Sequence, residues 1–192
     1  EKVSDGLDKD YAFAWSYGKM ETFTLLVPNL YGGSHTELKP DSETFQNLRQ
    51  NGYGSSFIPT YWGEQPFTSG PVYAGAIVCF LFVLGFFLVK GPEKWWIIAV
   101  FVVSLILSWG KNFDVINDFL FHHLPFYNKF RTPAMALIIA GVAMPILGML
   151  GLKELFSNKL SKDIILKNLK VSYFITVGLC LFLALCAAMI FD

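Results

Sequence analysis

Three basic side chains bracket one stretch of the chain that is otherwise rich in aromatic and apolar residues. Lys111 lies at the start of the segment 110–131, GKNFDVINDFLFHHLPFYNKFR, and Lys129 and Arg131 lie at its end. An arginine guanidinium presents a planar fork of donors that matches phosphate oxygens, and a lysine adds a compact positive charge. These side chains are therefore candidate contacts for a lipid phosphate or pyrophosphate group. The alternative is that they extend to a membrane surface or pair with neighbouring aspartates.

Two further sets of residues could carry acid–base chemistry. His122 and His123 can donate to a phosphate or transfer a proton, although two adjacent histidines without a third ligand are a weak metal signal and favour a surface-loop role. Asp8, Asp10 and Glu21 are carboxylates that could face a polar cavity, where a general base would need a suitable pKa. We predict no metal site, since the three cysteines lie inside apolar runs and form no CxxC pair. We also predict no cofactor.

The elements that must position these groups are apolar segments long enough to cross a bilayer. Crossing the hydrocarbon core takes about 20 apolar residues, with a range of about 17–25. We predict four spans, at about residues 72–89, 95–109, 134–152 and 171–191. The second is short, but tryptophans at both of its ends suit the two membrane interfaces.

Smaller features refine these predictions. Pro71 suits the first helical position of the first span, and glycines in the third span, Gly141, Gly148 and Gly151, offer small surfaces for close helix packing. Residues 8–33 show a helical period that predicts one or two short helices on the membrane surface.

Residues within 110–131 have the pattern of a short amphipathic helix at the membrane interface, ended by Pro125. Five apolar side chains share one face, and four polar side chains lean to the other. The apolar set is Val115, Ile116, Phe119, Leu120 and Leu124, and the polar set is Asp114, Asn117, Asp118 and His122. Asp114 is also a candidate cap for the start of this helix.

Composition agrees with a membrane protein. Of the 192 residues, 54% are hydrophobic and 16% are charged, against about 45–50% and about 25% in soluble domains. We assign residues 1–70 to an extracytoplasmic loop and interfacial region, with 34–70 an external loop, and residues 71–192 to a transmembrane helical region. The predicted fold is all-α: a polytopic membrane protein with about four transmembrane helices plus interfacial helices and external loops. Because a long polar-leaning region precedes the first span, we expect a middle fragment of a longer protein.

The distribution of lysines predicts the orientation. The loops after the first and third spans carry seven lysines, whereas the loop between the second and third spans carries three basic residues. The positive-inside rule therefore places the lysine-rich loops in the cytoplasm, with residues 1–70 and 110–131 outside. The formal net charge of zero gives no electrostatic footprint for nucleic acid.

Four stretches, in this order, resemble the YfhO family of bacterial membrane proteins. They are GLDKDYAFAWSYGKMETFTLLVPNLYGG at residues 6–33, YWGEQPFTSGPVYAGAIVCFLFVLG at 61–85, LSWGKNF at 107–113 and FYNKFRTPAM at 126–135. The resemblance implies a GT-C-like glycosyltransferase architecture in the bacterial cytoplasmic membrane. Such proteins use a polyprenyl-phosphate-linked sugar as donor and transfer the sugar on the outer face.

The resemblance also implies roles for particular residues. The catalytic carboxylate of that architecture is expected in a first external loop outside this chain, so no catalytic residue is assigned. Lys129 and Arg131, in the FYNKFR motif, become candidate contacts for the donor phosphate. Trp15, Trp62 and Tyr127 become candidate stacking partners for a sugar. The expected partners are membrane lipids and the polyprenyl-phosphate sugar donor.

A second function fits the same sequence. The chain would then be a non-catalytic membrane scaffold or assembly subunit, and its aromatic-rich external loops would bind membrane-protein partners. A transporter is disfavoured, because transporters tend to place ionisable groups inside their spans near the midplane. The four predicted spans hold no Asp, Glu, Lys or Arg at their centres.

Overall fold

The computed structural model describes residues 6–34, 39–52, 60–70, 72–157 and 160–191. Within these ranges the fold is all-helical, as predicted, and its extended pairing is limited to an isolated bridge between Gly32 and Tyr61. The α-helices of this part are α1 Lys9–Ala12, α2 Glu43–Gln50, α3 Ala76–Leu88, α4 Glu93–Trp109, α5 Asp114–His123, α6 Leu137–Phe156 and α7 Lys162–Phe191. Short 3-10 segments lie at Met20–Leu25, Gly110–Phe113, Tyr127–Lys129 and Pro133–Ala136.

Three helical segments of the described chain are long and apolar enough to cross a membrane, which is consistent with an all-α membrane protein. They are Glu93–His123, Pro133–Phe156 and Lys162–Cys186. They coincide with the second, third and fourth predicted spans, and each is longer than predicted. The predicted loop before the fourth span is largely helix, since α7 already begins at Lys162. The lysines in this part of the chain are good helix formers, so they continue the helix beyond the apolar residues.

The first predicted span is shorter than expected. α3 has 13 residues, which gives a length of about 20 Å at about 1.5 Å per residue, against a hydrocarbon core of about 30 Å. Residues 72–75 are not helical because their backbone bonds elsewhere: the N–H groups of Ala74 and Gly75 donate to the Leu25 carbonyl at 3.1 and 3.2 Å. Helix α3 therefore begins at Ala76, and Pro71, predicted as its first residue, lies outside the described residues.

Small residues let α3 and α6 approach closely. A Cβ on Gly151 would lie 2.6 Å from Gly85 Cα, and one on Gly148 would lie 3.0 Å from Leu81 Cβ. The prediction that Gly148 and Gly151 permit close helix packing is therefore confirmed. For Gly141 the prediction is wrong, because a Cβ there would meet nothing within 4 Å and the residue borders a cavity instead.

A polar contact joins α4 to the start of α6. The buried Ser104 Oγ donates to the Ala136 carbonyl at 2.6 Å and accepts from the Ala140 N–H at 3.1 Å. A hydroxyl satisfied in this way can hold neighbouring membrane helices together. It brings the end of α4 and the start of α6 to one end of the bundle, where α3 also begins. We call this the site end.

Residues 12–26 pack onto the site end as part of its core. Leu25 and Leu26 share a buried cluster with Cys79 of α3 and Met144 of α6. The Tyr17 N–H donates to the carbonyl of Ser108, in the last turn of α4, at 2.8 Å. The helical period of residues 8–33 corresponds to α1 and the 3-10 turn Met20–Leu25, whose inward side chains contact protein.

α5 has the predicted amphipathic pattern, and Asn117 of its polar face packs into the protein. Asn117 is fully buried, and its Nδ2 donates to the Ile106 carbonyl at 2.8 Å, whereas Val115 and Phe119 are 82% and 59% exposed. Asp114 does not cap the helix as predicted. It is the first helical residue and pairs with Lys9 at 3.0 Å.

The predicted external loop 34–70 contains a helix that the sequence analysis did not anticipate. In α2, Ser42 occupies the N-cap position and its Oγ accepts from the Phe45 N–H at 3.3 Å. A serine followed by Glu43 in the first turn is an ordinary helix-start signal. The segment has no apolar face long enough to indicate burial, so its hydrophobic pattern does not predict the helix.

Candidate functional site

Arg131 lies at the site end with its guanidinium against two aromatic rings. Its Cζ lies 5.3 Å from the ring centroid of Tyr11 and 4.9 Å from that of Trp15, and its Nη1 donates to the Tyr11 hydroxyl. Cation–π contacts of this kind contribute about 0.5–1 kcal/mol at exposed sites. The rings therefore hold the guanidinium in place without neutralising its charge. We call Tyr11, Trp15 and Arg131 the arginine cradle.

Backbone contacts fix the two sides of the cradle to each other. The Thr132 N–H donates to the Ala12 carbonyl at 3.4 Å, and the Ala134 N–H donates to the Trp15 carbonyl at 3.3 Å. Thr132 has a φ of 69°, which is rare for a β-branched residue and persists where the surroundings dictate it. The strain next to Arg131 indicates that this loop is held in a specific conformation.

Two cavities meet at Arg131. The first, about 520 Å³ in volume, is lined by Trp15, Gln65, Phe67, Thr68, Ser69, Arg131 and Thr132; we call it the cradle cavity. The second, about 340 Å³, is lined mainly by apolar groups, among them Phe13, Leu107, Phe130, Pro133 and Met135; we call it the apolar cavity. Arg131 thus borders one cavity whose lining includes three hydroxyl groups and one that is largely apolar.

A buried carboxylate lies beside a third cavity at the site end. Glu21 is 1% exposed and borders a cavity of about 310 Å³, which we call the Glu21 cavity. Its Oε1 accepts from the Tyr61 hydroxyl at 2.5 Å, and its Oε2 accepts from the Gly18 N–H at 2.6 Å. Such charge-assisted hydrogen bonds offset the cost of burying the charge.

The Glu21 cavity adjoins the cradle cavity, because the two share part of their lining. The shared residues are Gln65, Thr68, Ser69 and Thr132. The buried carboxylate and the exposed guanidinium therefore border neighbouring spaces at the same end of the bundle.

Tyrosines next to Glu21 are held in their neutral form. Burial raises the pKa of Tyr17 to about 12. Burial, together with the hydrogen bond to Glu21, also raises the pKa of Tyr61 well above its usual range. The pKa of Tyr31, which lines the same cavity, is raised by burial as well. These phenols remain hydrogen-bond donors at neutral pH.

Among the predicted phosphate contacts, Arg131 is the one that forms the arginine cradle. Lys111 and Lys129 are exposed, and the backbone N–H of Lys111 donates to Ser16 Oγ at 2.9 Å. Lys111 lies two residues after the end of α4, and Lys129 lies two residues before Arg131. Both lysines therefore add positive charge near the site end.

The two predicted histidines are engaged within and around α5. His122 Nε2 lies 3.5 Å from a carboxylate oxygen of Asp118, which also accepts from Lys9. His123 Nδ1 is 2.9 Å from the Phe119 carbonyl, and its ring stacks on that phenylalanine at 4.4 Å. Neither histidine lines any of the three cavities described above.

The three predicted sugar-stacking aromatics lie in different settings. Trp15 belongs to the arginine cradle, and its ring meets Phe67 edge-on at 5.2 Å. Trp62 is exposed and stacks on Tyr31 with ring centroids 4.5 Å apart. Tyr127 is half-buried, and its hydroxyl donates to Asn117 Oδ1 at 2.8 Å while its ring borders the apolar cavity.

The structure separates the three carboxylates that the sequence could not rank. Asp8 caps α1 by accepting from the N–H groups of Asp10 and Tyr11 at 3.0 and 3.2 Å. Asp10 is exposed, so Glu21 alone of the three is buried beside a cavity. Its partner Tyr61 is 40 positions away and was not singled out. The available signal is a glutamate three residues after Gly18 and shortly before the apolar residues Leu25, Leu26 and Val27.

Comparisons of the chain with protein-family models, with curated proteins and with solved structures found no match. The role of the site end is therefore inferred from its own residues and their geometry.

Proposed function

We propose that the site end binds the phosphate of a polyprenyl-phosphate-linked sugar, as part of a GT-C-like glycosyltransferase of the YfhO type on the outer face of the bacterial cytoplasmic membrane. The observation that carries the proposal is the position of Arg131, fixed by Tyr11 and Trp15 between the cradle cavity and the apolar cavity. A lipid-linked sugar is apolar on one side of its phosphate and rich in hydroxyl groups on the other. Arg131 borders both cavities, so its charge would lie beside a phosphate held between them.

The lipid tail has an apolar surface beside this position. Ile138, Val142 and Ile146 of α6 are 66%, 55% and 48% exposed, and together with α4 they border an apolar groove of about 430 Å³. Ile138 also lines the Glu21 cavity, so the apolar surface reaches the site end. An isoprenoid chain would lie along α6 in the hydrocarbon layer.

Arg131 would stabilise the negative charge that develops on the phosphate as the sugar leaves it. Donors already in place for that charge lower the barrier, because no reorganisation is needed when the bond breaks. Lys111 and Lys129 would add to the positive potential nearby. The catalytic base remains unassigned in this proposal.

Substituting Arg131 tests the proposal directly. In protein reconstituted into nanodiscs, we expect Arg131→Ala to weaken binding of a polyprenyl-phosphate sugar roughly 10- to 100-fold, since a hydrogen bond to a charged group contributes about 1.5–3 kcal/mol. Arg131→Lys should recover only part of the loss, because an ammonium lacks the planar fork. The matched control is Lys153→Ala, which removes an exposed cation in the last turn of α6. Equal affinity of wild type and Arg131→Ala would remove Arg131 from the site.

A second function, a membrane scaffold that docks partner proteins, is favoured by one observation. Phe126 and Phe130 are 74% and 72% exposed on the loop that carries Arg131. Exposed aromatic side chains grouped on a surface often mark an interface. A photo-crosslinking residue at position 126 that captures a protein in native membranes, together with no lipid-phosphate binding in nanodiscs, would favour the scaffold.

A further inference from the structure

We propose that the Glu21 cavity is a binding site for one monosaccharide unit, with the Glu21 carboxylate accepting hydrogen bonds from the sugar hydroxyls. This inference rests on the proposed function in naming the ligand as the sugar of the donor, and it assigns that sugar to residues other than the arginine cradle.

The Glu21 carboxylate has acceptor capacity beyond its two described hydrogen bonds. A carboxylate offers about four lone-pair positions, and the Tyr61 hydroxyl and the Gly18 N–H occupy two of them. Because Glu21 both lines the cavity and is 1% exposed, a ligand inside the cavity would meet a charged acceptor in a setting with little water. Hydrogen bonds to charged groups are the stronger class.

The carboxylate is also fixed in position by its surroundings. A Cβ on Gly18 would lie 2.8 Å from Oε2, and a Cβ on Gly63 would overlap Oε1. Two glycines therefore make the room that the carboxylate occupies, and the hydrogen bonds from Tyr61 and Gly18 orient it. A preorganised acceptor loses little side-chain entropy when a ligand binds.

The polar members of the lining favour a neutral polyhydroxyl compound. A carboxylate repels a phosphate and attracts hydroxyl donors, and the side chains of Gln65, Thr68 and Ser69 on the cavity wall can both donate and accept. The anionic part of a lipid-linked sugar is instead matched by Arg131, which lines the neighbouring cradle cavity.

The size and the remaining walls suit a single sugar ring. The volume of about 310 Å³ is at the lower end of the range of about 300–1,000 Å³ for small-molecule sites. Tyr31 supplies an aromatic wall, supported from behind by the Trp62 ring at 4.5 Å. Gly141 of α6 also lines the cavity, and a Cβ there would meet nothing within 4 Å.

The test uses methyl glycosides of glucose, galactose, mannose and N-acetylglucosamine as probes, with saturation-transfer NMR on the full chain in nanodiscs. We expect at least one glycoside to bind the wild type. Glu21→Gln should weaken that binding by about tenfold or more, because the amide carries no charge. The matched control, Asp10→Asn, makes the same change at an exposed carboxylate and should bind as the wild type does.

A second variant keeps the test decisive if Glu21→Gln fails to fold. Gly141→Leu fills the cavity from α6 without touching the carboxylate, and we expect it to abolish glycoside binding while the helical circular dichroism stays unchanged. The inference is overturned if no glycoside binds the wild type, or if a folded Gly141→Leu variant binds as the wild type does.

The arginine cradle and the Glu21 cavity can fail separately. Arg131→Ala should weaken binding of the lipid phosphate, and Glu21→Gln should weaken binding of the methyl glycoside. Retained glycoside binding with no lipid-phosphate binding by the wild type would contradict the proposed function alone. Lipid-phosphate binding that depends on Arg131, with no glycoside binding, would contradict the sugar site alone.

Discussion

Gly151→Ala should loosen the contact between α3 and α6. A Cβ on Gly151 would lie 2.6 Å from Gly85 Cα and 2.9 Å from Gly85 N, so the clash is with backbone and cannot be relieved by rotating a side chain. Overpacking of this kind costs about 1–3 kcal/mol, and a clash with backbone belongs at the upper end. Replacing glycine by alanine inside a helix returns about 1 kcal/mol. We therefore expect a net loss of about 2 kcal/mol in the free energy of unfolding.

Gly141→Ala is the matched control on the same helix. Its Cβ would meet nothing within 4 Å, so helix propensity alone should apply and the variant should be unchanged or stabilised by up to about 1 kcal/mol. Both variants can be compared by reversible unfolding in mixed detergent micelles, followed by far-ultraviolet circular dichroism. If the two variants unfold at the same denaturant concentration, the close approach of α3 and α6 is wrong.

Three further predictions concern polar contacts. Ser104→Ala should lower the free energy of unfolding by about 1 kcal/mol in the same assay, because two buried backbone groups lose their partner. Asn117→Leu should cost about 1–3 kcal/mol, because the Ile106 carbonyl, the Phe113 carbonyl and the Tyr127 hydroxyl each lose a hydrogen bond. Tyr127→Phe should cost less because it removes one bond; equal losses would contradict the network. In the folded protein the pKa of Tyr17 is raised to about 12, against about 10 for an ordinary tyrosine. The neutral phenol should therefore support the full free energy of unfolding below pH 10, and this contribution should be lost as the pH rises through 12. Absorbance at 295 nm should show a late-titrating phenol that Tyr17→Phe removes.

The membrane-compatible helices were predictable because the signal is long and local. Runs of apolar residues identified α4, α6 and α7, although not their ends. The ends were misplaced where charged helix formers such as Lys162 continue a helix beyond its apolar part. Hydropathy measures what lipid tolerates, whereas the helix boundary depends on backbone hydrogen bonds and caps.

The shortness of α3 could not be read from its own residues. The segment before it is as apolar as a helix start would be, but its N–H groups donate to the carbonyl of Leu25, which is about 50 positions away in the chain. A tertiary contact of that kind overrides local propensity. Pairing between distant segments leaves no periodic pattern for a sequence to display.

The candidate site was predictable in part, for the same reason. Arg131 and Trp15 were each singled out by residue type, yet their contact joins segments more than 100 positions apart. Glu21 was one of three equivalent carboxylates, and its pairing with Tyr61 was invisible. Residue types indicated the chemistry, and the fold decided which residues share a cavity.

The exposed apolar faces of the long helices contact lipid in this account, and the other inferences depend on that contact. A spin label can be placed at Val142 or Ile146, which are 55% and 48% exposed, in full-chain protein whose three cysteines are replaced by alanine and which is reconstituted into liposomes. Oxygen partitions into hydrocarbon, so we predict that it will relax these labels strongly and that a water-soluble nickel chelate will relax them weakly. A label at the exposed Glu64 should be relaxed strongly by the nickel chelate and weakly by oxygen. Strong relaxation of the Val142 and Ile146 labels by the nickel chelate would place α6 in water and contradict the membrane assignment.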